Sequence, residues 1–167
     1  MAGKDGITLL KEDHREVEKL FKQFEEAKGD GRKQKLAHQI CLELSVHAEI
    51  EESIFYPACE GVVDEDELKE GYVEHDAAKL LIAEITANEG GDDEFFDTKV
   101  KVLQEEIEHH IEEEEGPNGI FAQARKGKLD TESLGEQLAE QKKALTERFK
   151  SEGIPQPKLK TMDEVSV

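Results

Sequence analysis

The sequence predicts an all-α protein, an up-down-up-down four-helix bundle with an additional C-terminal helix. Three observations lead there. Glu, Lys, Ala and Leu are abundant in a 167-residue chain without Trp, a composition that favours helix. Gly and Pro are sparse and fall at Gly29-Asp30-Gly31, Gly61, Gly90-Gly91 and Gly116-Pro117-Asn118-Gly119, between long uninterrupted stretches. Inside those stretches apolar residues recur at three- and four-residue steps, the period of a helix with one buried face.

The first helix is expected over 7–28, with the stripe Ile7, Leu10, His14, Val17, Phe21, Phe24. The second runs over 32–60 with Leu36, Ile40, Leu44, His47, Glu51 and Ile54. Asp64 with Glu67 signals the start of the third, over 65–88, whose stripe is Leu68, Tyr72, His75, Ala78, Ile82, Ile85. The fourth, over 93–115, carries Phe96, Val100, Leu103, Ile107, His110 and Glu114. Short connections make neighbouring helices antiparallel. A fifth amphipathic segment over 131–151 follows Asp130-Thr131. Residues 1–151 thus form one domain, and 152–167, with Pro155 and Pro157, an extended mobile tail.

Each of the four bundle stripes contains a His, and two contain a Glu. The pattern His47-Ala-Glu-Ile-Glu51-Glu52 returns as His110-Ile-Glu-Glu-Glu114-Glu115. A lone His stands upstream of each copy, 33 residues before (14 to 47) and 35 before (75 to 110). Glu12-Asp13-His14 aligns with Val73-Glu74-His75, so the chain reads as a duplicated helical hairpin. His and Glu at i, i+4 lie on one helix face, roughly 40° apart. His14 lies roughly 16 residues before the first turn and His47 roughly 17 after it, so at a rise of about 1.5 Å per residue they share a height. The same reckoning brings Glu51, His75, His110 and Glu114 into that band.

The candidate metal ligands are therefore His14, His47, Glu51, His75, His110 and Glu114. An isolated His on an apolar face is most often a satisfied core residue. Four at one level, two of them followed by a core-facing Glu, outweigh that reading, because a buried carboxylate is costly unless something pairs with it. Four imidazoles and two bridging carboxylates suit a pair of iron ions, with manganese second; structural zinc prefers a closed tetrahedron often rich in Cys. His38 and His109 fall off the stripes and are read as non-ligands. Tyr72 and Phe55 are read as packing, and Glu52 and Glu115 as pointing about 100° away from the site. Glu-x-x-His, the ferritin-type signature, occurs once, at Glu106 and His109, on the wrong phase.

The composition narrows the partners. A formal net charge of −19 repels phosphate backbones and argues against nucleic acid. Cys41 and Cys59 form no zinc-type cluster. The N-terminus has no apolar signal segment, and no apolar run approaches the roughly 18 residues that span a bilayer. The expectation is a cytoplasmic protein with reduced thiols and a small-molecule ligand.

At these residues the chain resembles the hemerythrin family, specifically bacterial hemerythrin-like proteins with a His-His-Glu cation-binding domain. The match is carried by Leu9-Leu-Lys-Glu-Asp-His14, His47-Ala-Glu-Ile-Glu51-Glu-Ser-Ile-Phe-Tyr-Pro57, Tyr72-Val-Glu-His75 and His109-His110-Ile-Glu-Glu-Glu114-Glu-Gly116, across roughly residues 5–150. The resemblance implies a non-haem di-iron centre. His14 and His47 would hold one iron and His75 and His110 the other, with Glu51 and Glu114 bridging beside an oxo or hydroxo group. Two departures stand out. Oxygen-carrying hemerythrins place another His one turn after the third-helix His, where this chain has Lys79; Tyr72 or Glu18 could complete the site instead. Gly116-Pro117-Asn118-Gly119 is an insertion just beyond a bridging ligand.

Three functions compete. One is reaction with oxygen, peroxide or nitric oxide in oxidative or nitrosative stress, with Lys79 leaving an open position for peroxide decomposition. The second is non-catalytic oxygen or iron sensing, storage or homeostasis. The third, a metal-free helical interaction module, leaves the buried Glu residues unexplained.

Overall fold

The computed structural model describes residues 3–89 and 92–163. The expected Gly90-Gly91 turn and the last residues of the tail, 164–167, lie outside the described residues. The architecture is an all-α four-helix bundle with an additional C-terminal helix. Helix α1 (Gly6–Glu26) is capped by Asp5, whose side chain accepts from the Thr8 N–H. Helix α2 (Asp30–Ile50) runs into a single π-helical turn, Glu51–Phe55, and then a short α3 (Tyr56–Cys59). Asp64 caps α4 (Glu65–Ala87) by accepting from the Glu67 N–H. Helix α5 (Phe96–Glu115) closes the bundle, and α6 (Ile120–Lys126) and α7 (Thr131–Glu152) follow.

Helices α1 and α2 form one antiparallel hairpin, α4 and α5 the other. Contacts of α2 with α4 and of α1 with α5 close the ring, while α7 lies along α1 and α2. Two elements differ from the sequence expectation. The second helix is not uniformly α-helical, because an extra residue in the turn at Glu51–Phe55 shifts the register beyond it. The segment after Gly116 is not merely an interruption. Gly119 nests so closely on the end of α5 that a Cβ there would meet the Glu113 carbonyl oxygen at 2.4 Å. The chain thereby folds back, and α6 lays Phe121 against His14 with ring centroids 5.7 Å apart.

The core has two apolar clusters. One, around Ile7, Leu10, Ile50, Phe55, Phe121 and Leu138, fills the end of the bundle covered by α6 and α7. The other, around Phe21, Phe24, Ile40, Ile82, Ile85 and Leu103, fills the opposite end. Each fully buried aliphatic or aromatic side chain contributes about 1.5–3 kcal/mol. Buried polar groups lie in the band between the clusters: Asp13, His14, His47, Glu51, Glu52, His75, Asp76, His110 and Glu114. Cys41 and Cys59 are free and buried, and burial first of all pushes both thiols up to about 12, leaving them unreactive. Among the described residues no helix is long and apolar enough to cross a membrane.

Candidate metal centre

The six residues singled out from the sequence come together in that band. His14 comes from α1, His47 from α2, Glu51 from the π turn, His75 from α4, and His110 and Glu114 from α5. They form two groups, each with ligand atoms within 4.8 Å of one another: His14, His47 and Glu114, and Glu51, His75 and His110. The carboxylates join the groups. Glu51 Oε1 lies 3.1 Å from His47 Nε2 and 3.1 Å from His75 Nε2. Glu114 Oε1 lies 3.1 Å from His14 Nε2 and 3.2 Å from His110 Nε2. Each Glu therefore faces one imidazole of either group, the position a bridging carboxylate takes.

All four imidazoles turn Nε2 inward and Nδ1 outward, where each Nδ1–H donates to a carboxylate. His14 donates to Glu115 at 2.6 Å, His47 to Asp13 at 3.0 Å, His75 to Glu52 at 2.8 Å and His110 to Glu74 at 2.7 Å. Because a carboxylate only accepts, these bonds fix the outer nitrogen as the protonated one, which directs Nε2 at the centre and raises its basicity as a ligand. The two halves of the chain are interlocked. His14 and His75 each lean on the second Glu of the other half's motif, whereas His47 and His110 lean on the acid preceding their own half's lone His. A further ring of cations backs these carboxylates: Arg15 on Glu115 at 2.6 Å, Lys79 on Glu52 at 3.0 Å, and Lys142 of α7 on Asp13.

The charges balance as a metal site requires. Burial opposes charge on His47, yet Glu51 and Asp13 hold its imidazolium up to about 10. Burial likewise opposes charge on His14 and His110, and their carboxylate partners raise both. Burial pushes Glu51 up, but the imidazoles of His47, His110 and His75 hold it well below the ordinary carboxylate range. Burial and the Glu51 charge push Glu114 up, and His110 and His14 bring it below that range. A cation between the groups would replace these imidazolium protons.

The donor atoms fit such a cation. Four of the buried polar atoms without any hydrogen-bond partner are His14 Nε2, His47 Nε2, Glu51 Oε2 and Glu114 Oε1. All four belong to the cluster, and leaving buried polar atoms unsatisfied costs about 1–3 kcal/mol each. The close approaches of His14 to Glu114 and of His47 to Glu51 lack hydrogen-bond alignment, so proximity alone does not satisfy them. Glu74, His109 and Glu113 form a third acidic group at the surface, but His109 is exposed and none of its atoms is buried without a partner.

Tyr56 was not singled out by the sequence. It is fully buried, and its hydroxyl donates to Glu114 Oε2 at 3.0 Å and lies 3.4 Å from His110 Nε2. Its ring stacks on His75, with centroids 5.3 Å apart and planes 8° from parallel. Burial first, and then the charges of Glu114 and Glu51, keep this phenol far above its ordinary pKa, a neutral donor. Neither residue considered for completing the site reaches it. Tyr72 packs edge-on against Tyr56, and Glu18 pairs with Arg15 on the outer face of α1. Lys79, which stands where oxygen-carrying hemerythrins have a further His, holds Glu52. Glu52 and Glu115, expected to point away, are the acceptors that orient His75 and His14. The signal for these supports was present in the doubled Glu and in the acid preceding each lone His.

Substituting His47 or His110 with Ala is expected to remove bound metal, whereas His38→Ala and His109→Ala retain it. His38 pairs with Glu89 at the surface, and exposed His109 pairs with Glu74 and Glu113. Elemental analysis of purified variants tests this; retention in His110→Ala with loss in His109→Ala would put α5 in the wrong register.

Known proteins share sequence or fold with this chain. A DNA nickase from Nostoc sp. is 30% identical over 117 residues, which are 70% of this chain and 32% of that protein. The chain thus spans about a third of that relative. Among solved structures, a hemerythrin HHE cation binding domain-containing protein from Mycobacterium kansasii superposes with a TM-score of 0.73. The match covers 90% of this chain and 94% of the other at 19% identity, a likeness of fold. The family model of the hemerythrin HHE cation binding domain matches residues 5–124, from the start of α1 into α6. Every helix that carries a cluster residue falls inside that match, and the chain belongs to the hemerythrin HHE cation-binding domain family.

Proposed function

We propose that this chain holds a pair of iron ions between its two His/Glu groups and reacts there with a small oxidant, peroxide foremost. The observation that carries the proposal is the set of four unpartnered, fully buried Nε2 and carboxylate atoms aimed at one space. Nitrogen and oxygen donors without Cys favour iron, with manganese second. His14 and His47 would hold one ion, His75 and His110 the other, and Glu51 and Glu114 both; the Tyr56 hydroxyl stands beside Glu114 and His110. The iron pair would supply two-electron exchange with the oxidant. The protein residues fix the imidazoles through their outer carboxylates, exclude bulk water and hold the Tyr56 hydroxyl as a donor to Glu114 Oε2.

Peroxide is favoured over reversible oxygen carriage because the Tyr56 hydroxyl places a protonated hydrogen-bond donor beside the pair. A role in oxidative or nitrosative stress follows from that chemistry. DNA nicking is left to the Nostoc relative, because a net charge of −19 opposes a phosphate backbone. The test mixes oxidised, iron-loaded protein with peroxide and follows oxygen release, which for disproportionation is one oxygen per two peroxides. Reduced protein is separately cycled through oxygenation and degassing. Reversible oxygen spectra with negligible peroxide turnover would select the binding reading instead.

A further inference from the structure

A cavity of about 110 Å³ leads from the four cluster imidazoles toward the surface between α1, α2, α4 and α5. Its apolar lining includes Val17, Ala78, Ile82, Ile107 and Ile111. Its outer wall is the chain after α7, from Pro155 to Lys158. Gly153, at φ +91°, turns the chain off the end of α7 in a conformation that L side chains rarely adopt. Ile154 then packs against both core clusters.

The segment is tied down at its far end. Asp76, fully buried, accepts from the Lys160 N–H at 3.0 Å, the Thr161 N–H at 2.6 Å, the Thr161 hydroxyl at 2.7 Å and the Met162 N–H at 3.2 Å. Lys79 donates to the Lys158 carbonyl at 2.9 Å and to Glu52 at 3.0 Å. One turn of α4 thus carries a cluster imidazole, His75, the anchor, Asp76, and the tie, Lys79. The buried Asp76 carboxylate draws its hydrogen bonds from the segment and from Lys79, so leaving the segment undocked would strand it.

We propose that residues 154–162 are a size-selecting strap across the entrance to the cluster, and that Asp76 and Lys79 are the residues that set its closed position. At roughly 30 Å³ per water molecule the cavity holds about three or four waters. That space is smaller than the roughly 150 Å³ of an apolar cavity that admits benzene, so it suits diatomic gases and peroxide better than aromatic or sugar-sized molecules. The Lys at position 79 then has a positive role in place of the family's His: it ties the gate to the carboxylate that orients His75. The inference rests on the metal-site reading for its consequence, but its test uses neither metal nor turnover.

Ala78→Cys in the full chain places a thiol in the middle of the cavity, while Cys41 and Cys59 stay buried and unreactive. Its reaction with N-phenylmaleimide is timed alone and combined with Asp76→Asn or with Thr161→Pro. The second substitution removes two donors to Asp76 from an exposed strap residue and changes no side chain of the bundle. Amide hydrogen exchange over 154–162 reports whether the strap has let go. The expected result is slow labelling with the strap docked and labelling faster by about tenfold or more once it is released, because losing a hydrogen bond to a carboxylate shifts a closed-to-open equilibrium by at least that factor. Fast labelling with the strap protected would overturn the proposal. So would unchanged labelling in Thr161→Pro with the strap amides exchanging freely. Loss of iron binding with this labelling pattern intact would instead count against the metal reading alone.

Discussion

Glu51→Ala and Glu114→Ala are expected to abolish the paired metal site, leaving less than one ion per chain. Each carboxylate faces imidazoles of both groups, at 3.1 Å and 3.1 Å for Glu51 and at 3.1 Å and 3.2 Å for Glu114. Removing one would take a ligand from both proposed ions at once. It also leaves buried imidazoles without their counter-charge, and breaking a buried charge pair costs about 3–5 kcal/mol. Glu52→Gln and Glu115→Gln should behave differently. Each removes the acceptor behind one imidazole, and such outer partners are worth about 10–100-fold in metal affinity. These variants should therefore keep two ions at saturating iron, release them faster to a chelator, and preserve magnetic coupling between them. Titration with iron, elemental analysis and magnetic measurements separate the classes. Coupling lost only in the Glu52 and Glu115 variants would refute the bridging assignment.

The sequence made much of the site legible, because helical period and helix length are strong signals. His14, His47, His75 and His110 sit in apolar stripes, and counting residues from the turns brings them to one height without any knowledge of packing. The supporting carboxylates were in view but misread. A residue next to a ligand points about 100° away, which looks like solvent on an isolated helix. In a ring of helices that direction meets the neighbouring helix, so Glu52 reaches His75 and Glu115 reaches His14. Lys142 was out of reach, because nothing in the spacing of α7 says which face of the bundle it lies along. Phe121 was hidden for a similar reason, since Gly116-Pro117-Asn118-Gly119 reads as a break and not as a fold back over His14. Tyr56 was hidden by helix type. In an unbroken α-helix it would stand about 140° around the axis from Glu51. The π turn at Glu51–Phe55 takes up one extra residue and rotates Tyr56 onto the inner face.

That rotation gives the last prediction. Tyr56→Phe is expected to leave metal stoichiometry intact while shifting the visible spectrum of the iron-loaded protein and sharply slowing peroxide turnover. Phe preserves the stacking on His75 and the volume of the site, so only the oxygen is lost. That oxygen donates to Glu114 at 3.0 Å in a fully buried place, and a hydrogen bond to a charged group is worth about 1.5–3 kcal/mol. At about 2–4 °C per kcal/mol for a chain of this size, the Tm should fall by several degrees. Gly71→Ala supplies the control in which the oxygen remains but moves. Gly71 on α4 faces the phenol so closely that a Cβ would stand 2.8 Å from the Tyr56 hydroxyl oxygen, nearer than a real contact allows. The added methyl should push the ring away from Glu114 and reproduce the spectral and kinetic change of Tyr56→Phe in weaker form. If both variants keep the wild-type visible spectrum and peroxide turnover and differ only in Tm, Tyr56 is packing, and the proton beside the iron pair must come from elsewhere.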